Sequence, residues 1–367
     1  MKLKKVIISG GGTGGHIFPA LAIANEVGRR YPDAEILFVG ALGRMEMEKV
    51  PAAGYKIIGL PVTGFPRRPG MKMITFVVRL LKSNKLAKKI INQFNPQIAI
   101  GVGGFASGPL LRATARKGIP TLIQEQNSYA GITNKLLAKK AHTICVAYDN
   151  MERYFPAEKI VLTGNPIREN LLSGLKNNRE AFEYFGLKNA GNVILIVGGS
   201  LGARSINNAV LKNISLIAGS GVEVIWQTGS IYYREILEKM KDATPPNLYI
   251  HEFLARMDLA YAAAGVVISR AGAGTISELC LVGKPSILVP SPNVAEDHQT
   301  KNARALADKG AAILVPDTEI DEKLLPEAIR LIQNETECKQ LSENIKLLAR
   351  PNATRQIVDE AEKLVSE

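Results

Sequence analysis

The sequence predicts an α/β protein made of two doubly wound domains, each on a parallel sheet. Three observations carry this. Short Val/Ile/Leu runs alternate with helix-length segments along the 367-residue chain, and continuous apolar runs of that kind read as strands buried on both faces. The pattern restarts: Val6-Ile7-Ile8 runs into GGGTGGH, and Val193-Ile194-Leu195-Ile196-Val197 runs into GGSLGARS half a chain later. Each opening is strand, glycine loop, helix, the first piece of a mononucleotide-binding half.

In chain order, the strands expected are Val6–Ser9, Ile36–Val39, Ile98–Val102, Thr121–Gln124 and Thr143–Val146 in the first domain. Those in the second are Val193–Val197, Val222–Gln227, Val266–Ser269, Ser286–Val289 and Ala312–Val315. A helix is expected over 71–94, where Ile74, Val77, Val78 and Leu81 recur on one face. Pro19 suits the first turn of the helix after the first glycine loop. TGNPIREN (163–170) breaks the periodicity and reads as the linker. This places the first domain at 1–163 and the second at 164–350, with a helix at 351–367 able to pack back on the first.

The apolar residues make up 46% of the chain, enough for two cores, and no run suits a secretion signal or a spanning helix. Cys145, Cys280 and Cys338 are odd in number and far apart. They suggest neither disulfides nor a zinc site, and fit a reducing cytoplasm. The net charge is +12, and it is unevenly placed: no Asp or Glu occurs from Lys49 to Gln124, where thirteen Lys and Arg stand. An anionic surface is the partner this implies, either nucleic acid or a membrane face. With no nucleic-acid module and few aromatics, nucleic acid is not expected.

Gly10, Gly12 and Gly15 satisfy G-x-G-x-x-G, a weak signal for a nicotinamide cofactor. That cofactor needs an acid at the end of the second strand, which here ends in Gly40-Ala41-Leu42-Gly43; Asp33 and Glu35 lie at its start and Glu46 beyond it. No cofactor is expected. Three more glycine loops follow strands: GVGGFASGP (101–109), GGSLGA (198–203) and RAGAGTISE (270–278). Backbone amides and a helix N-terminus favour phosphate at such places. Two loops per domain suggest two phosphorylated ligands across a cleft, fitting a nucleotide-sugar donor and a phosphorylated acceptor. No apolar-flanked D-x-D pair is present, so a metal clamp is not expected.

The ordered set GGGTGGHIFPALAIA, GVGGFASGP, QEQNSYAGITNK, TGNPIR, GGSLGARSIN, RAGAGTISE and EDHQTKNA resembles one family, from residue 10 to about 303. It is the lipid I to lipid II N-acetylglucosaminyltransferases of bacterial peptidoglycan synthesis, glycosyltransferase family 28. The resemblance implies a GT-B fold and inverting transfer of N-acetylglucosamine from UDP-N-acetylglucosamine to the C4 hydroxyl of the muramyl sugar of lipid I. The second domain would hold the donor and the first the acceptor. Carried over from the family, Arg168, Ser200 and Ala273, Gly274, Thr275 and Glu278 would bind UDP, with Glu278 on the ribose hydroxyls. Gln299 would read the sugar, and the Leu254 backbone would contact uracil. Thr13, Gly14, Gly15 and Asn127 would line the sugar side. The loops carrying Gly11, Gly12, Gly103, Gly104 and Ser107 would take the acceptor diphosphate.

Inversion needs a base opposite the leaving group. His16 is the candidate, at the loop edge with a side chain that titrates near neutrality. Glu125 in QEQNS is the rival; Asp297 and His298 stand in the donor half. The family often carries an acid between Gly40 and Glu46; here ALGRM removes that option. The basic segment 67–89 reads as an amphipathic contact to an anionic membrane, with peripheral attachment on the cytoplasmic side. The resemblance also admits other cell-wall or division proteins as partners. Glycosylation of diacylglycerol, a UDP-sugar epimerase and a non-catalytic membrane-binding protein remain alternative readings.

Overall fold

The computed structural model describes residues 2–64, 70–167, 171, 175, 178–188, 192–199, 201–241 and 243–366. The chain forms two compact units, residues 1–167 with 350–367, and 168–349. The strands of unit 1 are β1(Lys5–Ser9), β2(Glu35–Ala41), β3(Lys56–Leu60), β4(Ile98–Gly101), β5(Thr121–Glu125), β6(Thr143–Val146) and β7(Ile160–Leu162). Those of unit 2 are β8(Val193–Val197), β9(Glu223–Gln227), β10(Leu248–His251), β11(Val266–Ser269), β12(Ser286–Leu288) and β13(Ile313–Leu314). The helices begin with α1(Gly14–Arg30), α2(Glu46–Ala52), α3(Met71–Phe94), α4(Ser107–Ala115) and α5(Ile132–Leu137). They continue with α6(Asn178–Phe185), α7(Arg204–Lys212), α8(Ile214–Gly219), α9(Tyr233–Met240) and α10(Met257–Ala263). The last are α11(Ala273–Val282), α12(His298–Ala307), α13(Ile320–Ile332), α14(Glu335–Leu347) and α15(Ala353–Ser366).

Both sheets are parallel, in the orders β3-β2-β1-β4-β5-β6-β7 and β10-β9-β8-β11-β12-β13 among the described residues. Their centres are the continuous apolar runs. Val6, Ile7 and Ile8 have no exposed surface, and Ile7 stands beside Leu37 on one side and Ala99 on the other. The strands absent from the sequence reading are β3, β7 and β10, all sheet edges. An edge strand is buried less completely: β3 alternates exposed and half-buried residues along most of its length, and β7 is a half-buried run of only three residues. In each sheet the order reverses beside the first strand, between β1 and β4 and between β8 and β11. All four glycine loops leave the carboxyl ends of these four strands, at the switch points where doubly wound sheets bind ligands.

Helix α1 begins at Gly14, so Pro19 lies beyond the first turn. Its missing N–H leaves the Gly15 carbonyl without its helical partner. Cys145 and Cys280 are buried, and burial pushes the Cys280 thiol up to about 12. Both are core side chains rather than nucleophiles.

The chain returns from unit 2 to unit 1 at α15. Ile357, Val358 and Ala361 join the core formed by Val6, Ile8 and Ile98. Arg30 fastens the helix, reaching Asp359 at 2.5 Å and Glu362 at 2.9 Å. Glu26, buried on α1, holds Arg30 at 2.6 Å and Arg29 at 2.7 Å. The Arg29 hydrogen bond, aided by Arg30, lowers the Glu26 pKa against the opposing effect of burial. A carboxylate with a lowered folded-state pKa stabilises above its unfolded pKa, and loses that contribution as pH falls through the folded value. Glu26→Gln should therefore destabilise unit 1 by about 1–3 kcal/mol at pH 7. The difference from the parent should shrink towards pH 3 in urea unfolding followed at both pH values.

Candidate functional site

In unit 1 the first glycine loop runs from β1 into α1, whose first turn holds no acid and whose N-cap, Thr13, makes no side-chain cap bond. The first-turn amides of such a helix have no intrahelical partner and favour an anion. One loop amide is already used. Gly12 N–H donates to Glu46 Oε2 at 2.9 Å, while Glu46 Oε1 accepts from Ala41 N–H at 2.9 Å. Glu46 is fully buried at the start of α2. In the loop expected to take the acceptor diphosphate, a protein carboxylate thus already occupies the Gly12 amide. The acid missing from the end of β2 is present one turn later and points into the loop.

The two loops of this switch point interlock. A Cβ on Gly104 would lie 2.4 Å from the Gly11 carbonyl oxygen, and one on Gly103 2.8 Å from the His16 ring; both residues have positive φ. Backbone and ring approach alone require glycine at these two positions. His16 Nδ1 lies 3.0 Å from Gly11 O and 3.4 Å from Thr13 Oγ1. A carbonyl only accepts, so Nδ1 is the donor at this contact, which in a neutral ring leaves the lone pair on Nε2. That is the tautomer a base needs, with Nε2 on the side of the ring that lies beside Gly103.

Ser107 and Glu125 take structural places instead of the expected ones. The Ser107 hydroxyl is buried, 2.9 Å from both Ser9 O and Gly103 O, and braces the second loop. Glu125 is 2% exposed, and its carboxylate receives four donors. Asn127 N–H at 3.1 Å and Asn127 Nδ2 at 3.3 Å reach Oε1; Gly131 N–H at 3.0 Å and Asn134 Nδ2 at 2.9 Å reach Oε2. With four donors on its carboxylate, Glu125 orders the QEQNSYAG loop. Its carboxylate also engages Asn127, which is half-buried at the same strand end. Beside it, Gln126 Nε2 reaches Val102 O at 2.7 Å and also bonds the Gln124 side chain. Gln124 Nε2 donates to Asn165 Oδ1 at 2.9 Å, and Asn165 Nδ2 returns to Gln126 O at 3.0 Å. The first residues of the linker motif are thereby tied to the loop.

In unit 2 the first glycine loop lies against the turn after β9. A Cβ on Gly202 would stand 2.1 Å from Thr228 O, and one on Gly229 2.1 Å from Gly202 N. Gln227, buried at the end of β9, joins two parts of the expected donor site: its Nε2 donates to Gly199 O at 3.0 Å and its Oε1 accepts Leu254 N–H at 2.9 Å. Of the Leu254 backbone groups the N–H is thus occupied, so a nucleobase contact there falls to the carbonyl. Arg168 and Ser200 lie outside the described residues, as do Arg67 and Arg68.

Helix α11 opens at Ala273 after Gly272, with no side-chain cap and no acid in its first turn. Gly274 faces open space, as does Gly199, which has positive φ. Packing does not demand a glycine at 274; the close approach of a ligand would. Glu278, half-buried one turn on, accepts a hydrogen bond from the hydroxyl of buried Tyr261 at 3.2 Å, a partner that sequence reasoning missed. Arg270 pairs with Asp317 at 2.5 Å and reaches Ser205 Oγ at 2.6 Å, bracing the loop. Thr275 shares the first turn of α11. Gln299 Oε1 accepts Ser291 N–H at 2.9 Å, which leaves its amide donors for a ligand. Asp297 caps the start of α12 with positive φ, and its carboxylate accepts from Thr300 at 2.7 Å.

Two parallel doubly wound units with glycine loops at both switch points define a nucleotide-sugar glycosyltransferase fold of the GT-B type. Comparison with known proteins agrees. Residues 6–146 match the glycosyltransferase family 28 N-terminal domain, and 193–357 its C-terminal domain. A protein of Parabacteroides distasonis is 55% identical over 100% of this chain and 99% of its own, and one of Bacteroides fragilis 57% identical over 99% and 96%. Both carry the name UDP-N-acetylglucosamine–N-acetylmuramyl-(pentapeptide) pyrophosphoryl-undecaprenol N-acetylglucosamine transferase. The crystal structure of Acinetobacter baumannii MurG superposes with a TM-score of 0.79 at 30% identity, covering 98% of this chain and 99% of that one. A UDP-GlcNAc 2-epimerase from Neisseria meningitidis shares the fold alone, with a TM-score of 0.64 at 14% identity. The chain belongs to glycosyltransferase family 28, among the N-acetylglucosamine transferases of that name.

Glu125→Gln places an amide donor where the carboxylate now accepts. It should lower the unfolding free energy by about 1–3 kcal/mol. Turnover per folded molecule should stay within about tenfold of the parent, because no proton transfer is lost. Chemical denaturation alongside steady-state kinetics separates the two effects.

Proposed function

We propose that this chain transfers N-acetylglucosamine from UDP-N-acetylglucosamine to the C4 hydroxyl of the muramyl sugar of undecaprenyl-pyrophosphoryl-MurNAc-pentapeptide, lipid I, giving lipid II. The observation that carries the reading is identity of more than half the residues, across nearly the whole chain, with relatives named for this transfer. Unit 2 is assigned to the donor. The amides of the first turn of α11 and its dipole face the diphosphate and stabilise the charge that builds on the departing UDP. Glu278, held by Tyr261, accepts the ribose hydroxyls, and the Gln299 amide donates to the sugar. Arg168 and Ser200 complete the proposed UDP set. Unit 1 is assigned to the acceptor.

The acceptor oxygen attacks the anomeric carbon from the face opposite UDP. A carbon–oxygen bond to C4–O forms as the bond to the phosphate oxygen breaks, and UDP leaves with the electron pair. His16 Nε2 takes the hydroxyl proton. The transfer is proposed to proceed without a metal, which activity retained in EDTA would support. Purified protein given labelled UDP-N-acetylglucosamine and a lipid I analogue should form the disaccharide lipid. Transfer only to diacylglycerol, or turnover of the UDP-sugar that lipid I does not increase, would replace this reading with an alternative one. His16→Ala should lower kcat by about 10²–10⁴ with little change in donor KM; a loss below tenfold would remove His16 as the base.

Helix α3 is assigned to a membrane surface, placing the enzyme peripherally on the cytoplasmic leaflet. Ile74, Val77, Val78 and Leu81 are exposed by 44–67%, beside exposed Arg79, Lys82 and Lys85. The same helix anchors its other half in the core through Ala87, Ile90 and Ile91. Among the described residues no helix is long and apolar enough to cross a membrane. Exposed apolar residues interleaved with cations, without an acid between them, suit an anionic interface. Ile74→Glu/Leu81→Glu should cut binding to phosphatidylglycerol vesicles at least about tenfold in a sedimentation assay and leave the melting temperature unchanged.

A further inference from the structure

Glu46 is a buried carboxylate, and among the described residues it has no ion-pair partner. Both its oxygens are held by backbone amides, Ala41 N–H at the rigid end of β2 and Gly12 N–H in the loop, each at 2.9 Å. The surrounding backbone is shaped to this group. A Cβ on Gly11 would lie 2.0 Å from Glu46 Oε1, and one on Gly40 2.5 Å from its Cγ. A buried carboxylate is costly unless its oxygens are hydrogen-bonded, and here two backbone amides meet that need.

The N–H of Gly12 and the C=O of Gly11 are the two ends of one planar amide. The first donates to Glu46; the second accepts from His16 Nδ1 at 3.0 Å. We infer that Glu46 is a positioning residue for His16, acting through the Gly11–Gly12 peptide: carboxylate, amide and imidazole form one hydrogen-bonded chain. The inference rests on His16 as the proton acceptor proposed above. A carboxylate drawing on the amide N–H increases the negative charge on the carbonyl oxygen, and hydrogen bonds in such chains strengthen one another by roughly 10–30%. The polarised carbonyl holds the proton on Nδ1, keeps the lone pair on Nε2, and supports the imidazolium once the acceptor proton arrives. Because Oε1 is anchored on β2, the chain also ties the ring to the sheet rather than to a loop alone.

The test is the tautomer of His16, read from imidazole nitrogen shifts in protein labelled at its four histidines, together with kinetics. Wild-type protein should show the Nδ1–H form and a Gly12 amide protected from solvent exchange; an Nε2–H form would overturn the proposal, and this holds even if no variant folds. Glu46→Gln keeps the shape but removes the charge and opposes an amide donor to Ala41 N–H. It should shift the tautomer balance towards Nε2–H and lower kcat about tenfold, with donor KM within about twofold. In a His16→Ala background the same change should cost less than about twofold, since coupled residues are non-additive. Unaltered tautomer and kcat in Glu46→Gln, or an equal loss in both backgrounds, would overturn the relay. If His16→Ala keeps full activity while Glu46→Gln still shifts the tautomer, the base assignment fails and the relay stands.

Discussion

The close approach of backbone to backbone at the carboxyl ends of the first strand of each sheet governs the rest of this molecule. In unit 1 the loop after β4 touches the loop after β1, with Gly104 against the Gly11 carbonyl. In unit 2 Gly202 and Gly229 meet in the same manner. A Cβ at Gly104, Gly202 or Gly229 would stand 2.1–2.4 Å from backbone atoms of the facing loop, too close to be accommodated without a shift. Internal side chains then tie each first loop to a neighbour: His16 meets Gly103 of the β4 loop, Glu46 joins Gly12 to the end of β2, and Gln227 joins Gly199 to Leu254.

The glycines therefore divide by cause. Gly10, Gly11, Gly103, Gly104, Gly198 and Gly202 are glycine because protein atoms press on them. Gly15 and Gly274 have open space before them, meeting no more than one atom at 3.7 Å in the case of Gly15. A glycine in open space at the first turn of a helix is where a phosphate or sugar can approach the amides. The motif as written in sequence mixes both kinds.

Much of this was legible in the sequence. The inner strands announce themselves because burial on both faces demands unbroken apolar residues, and the four glycine loops follow them. The edge strands β3, β7 and β10 were missed because half their surface is not so constrained. Partners were harder to read than positions. Glu46 lies 34 residues from Gly12, and Gln227 27 residues from Leu254, so only the folded sheet brings them together. Glu125 looked like a base because a carboxylate stands in a functional loop. The four donors that saturate it come from that loop's own fold, which no periodicity encodes.

The return of α15 to unit 1 has a consequence for the order in which the protein is made. Unit 2 is a continuous insertion, whereas the core of unit 1 includes Ile357, Val358 and Ala361 from the last turns of the chain. On the ribosome, the domain synthesised first lacks part of its interior until the final residues emerge. Unit 2 can close its own core while unit 1 waits. Unit 1 is thus begun first and completed last, so a chain truncated before α15 lacks part of the unit 1 core.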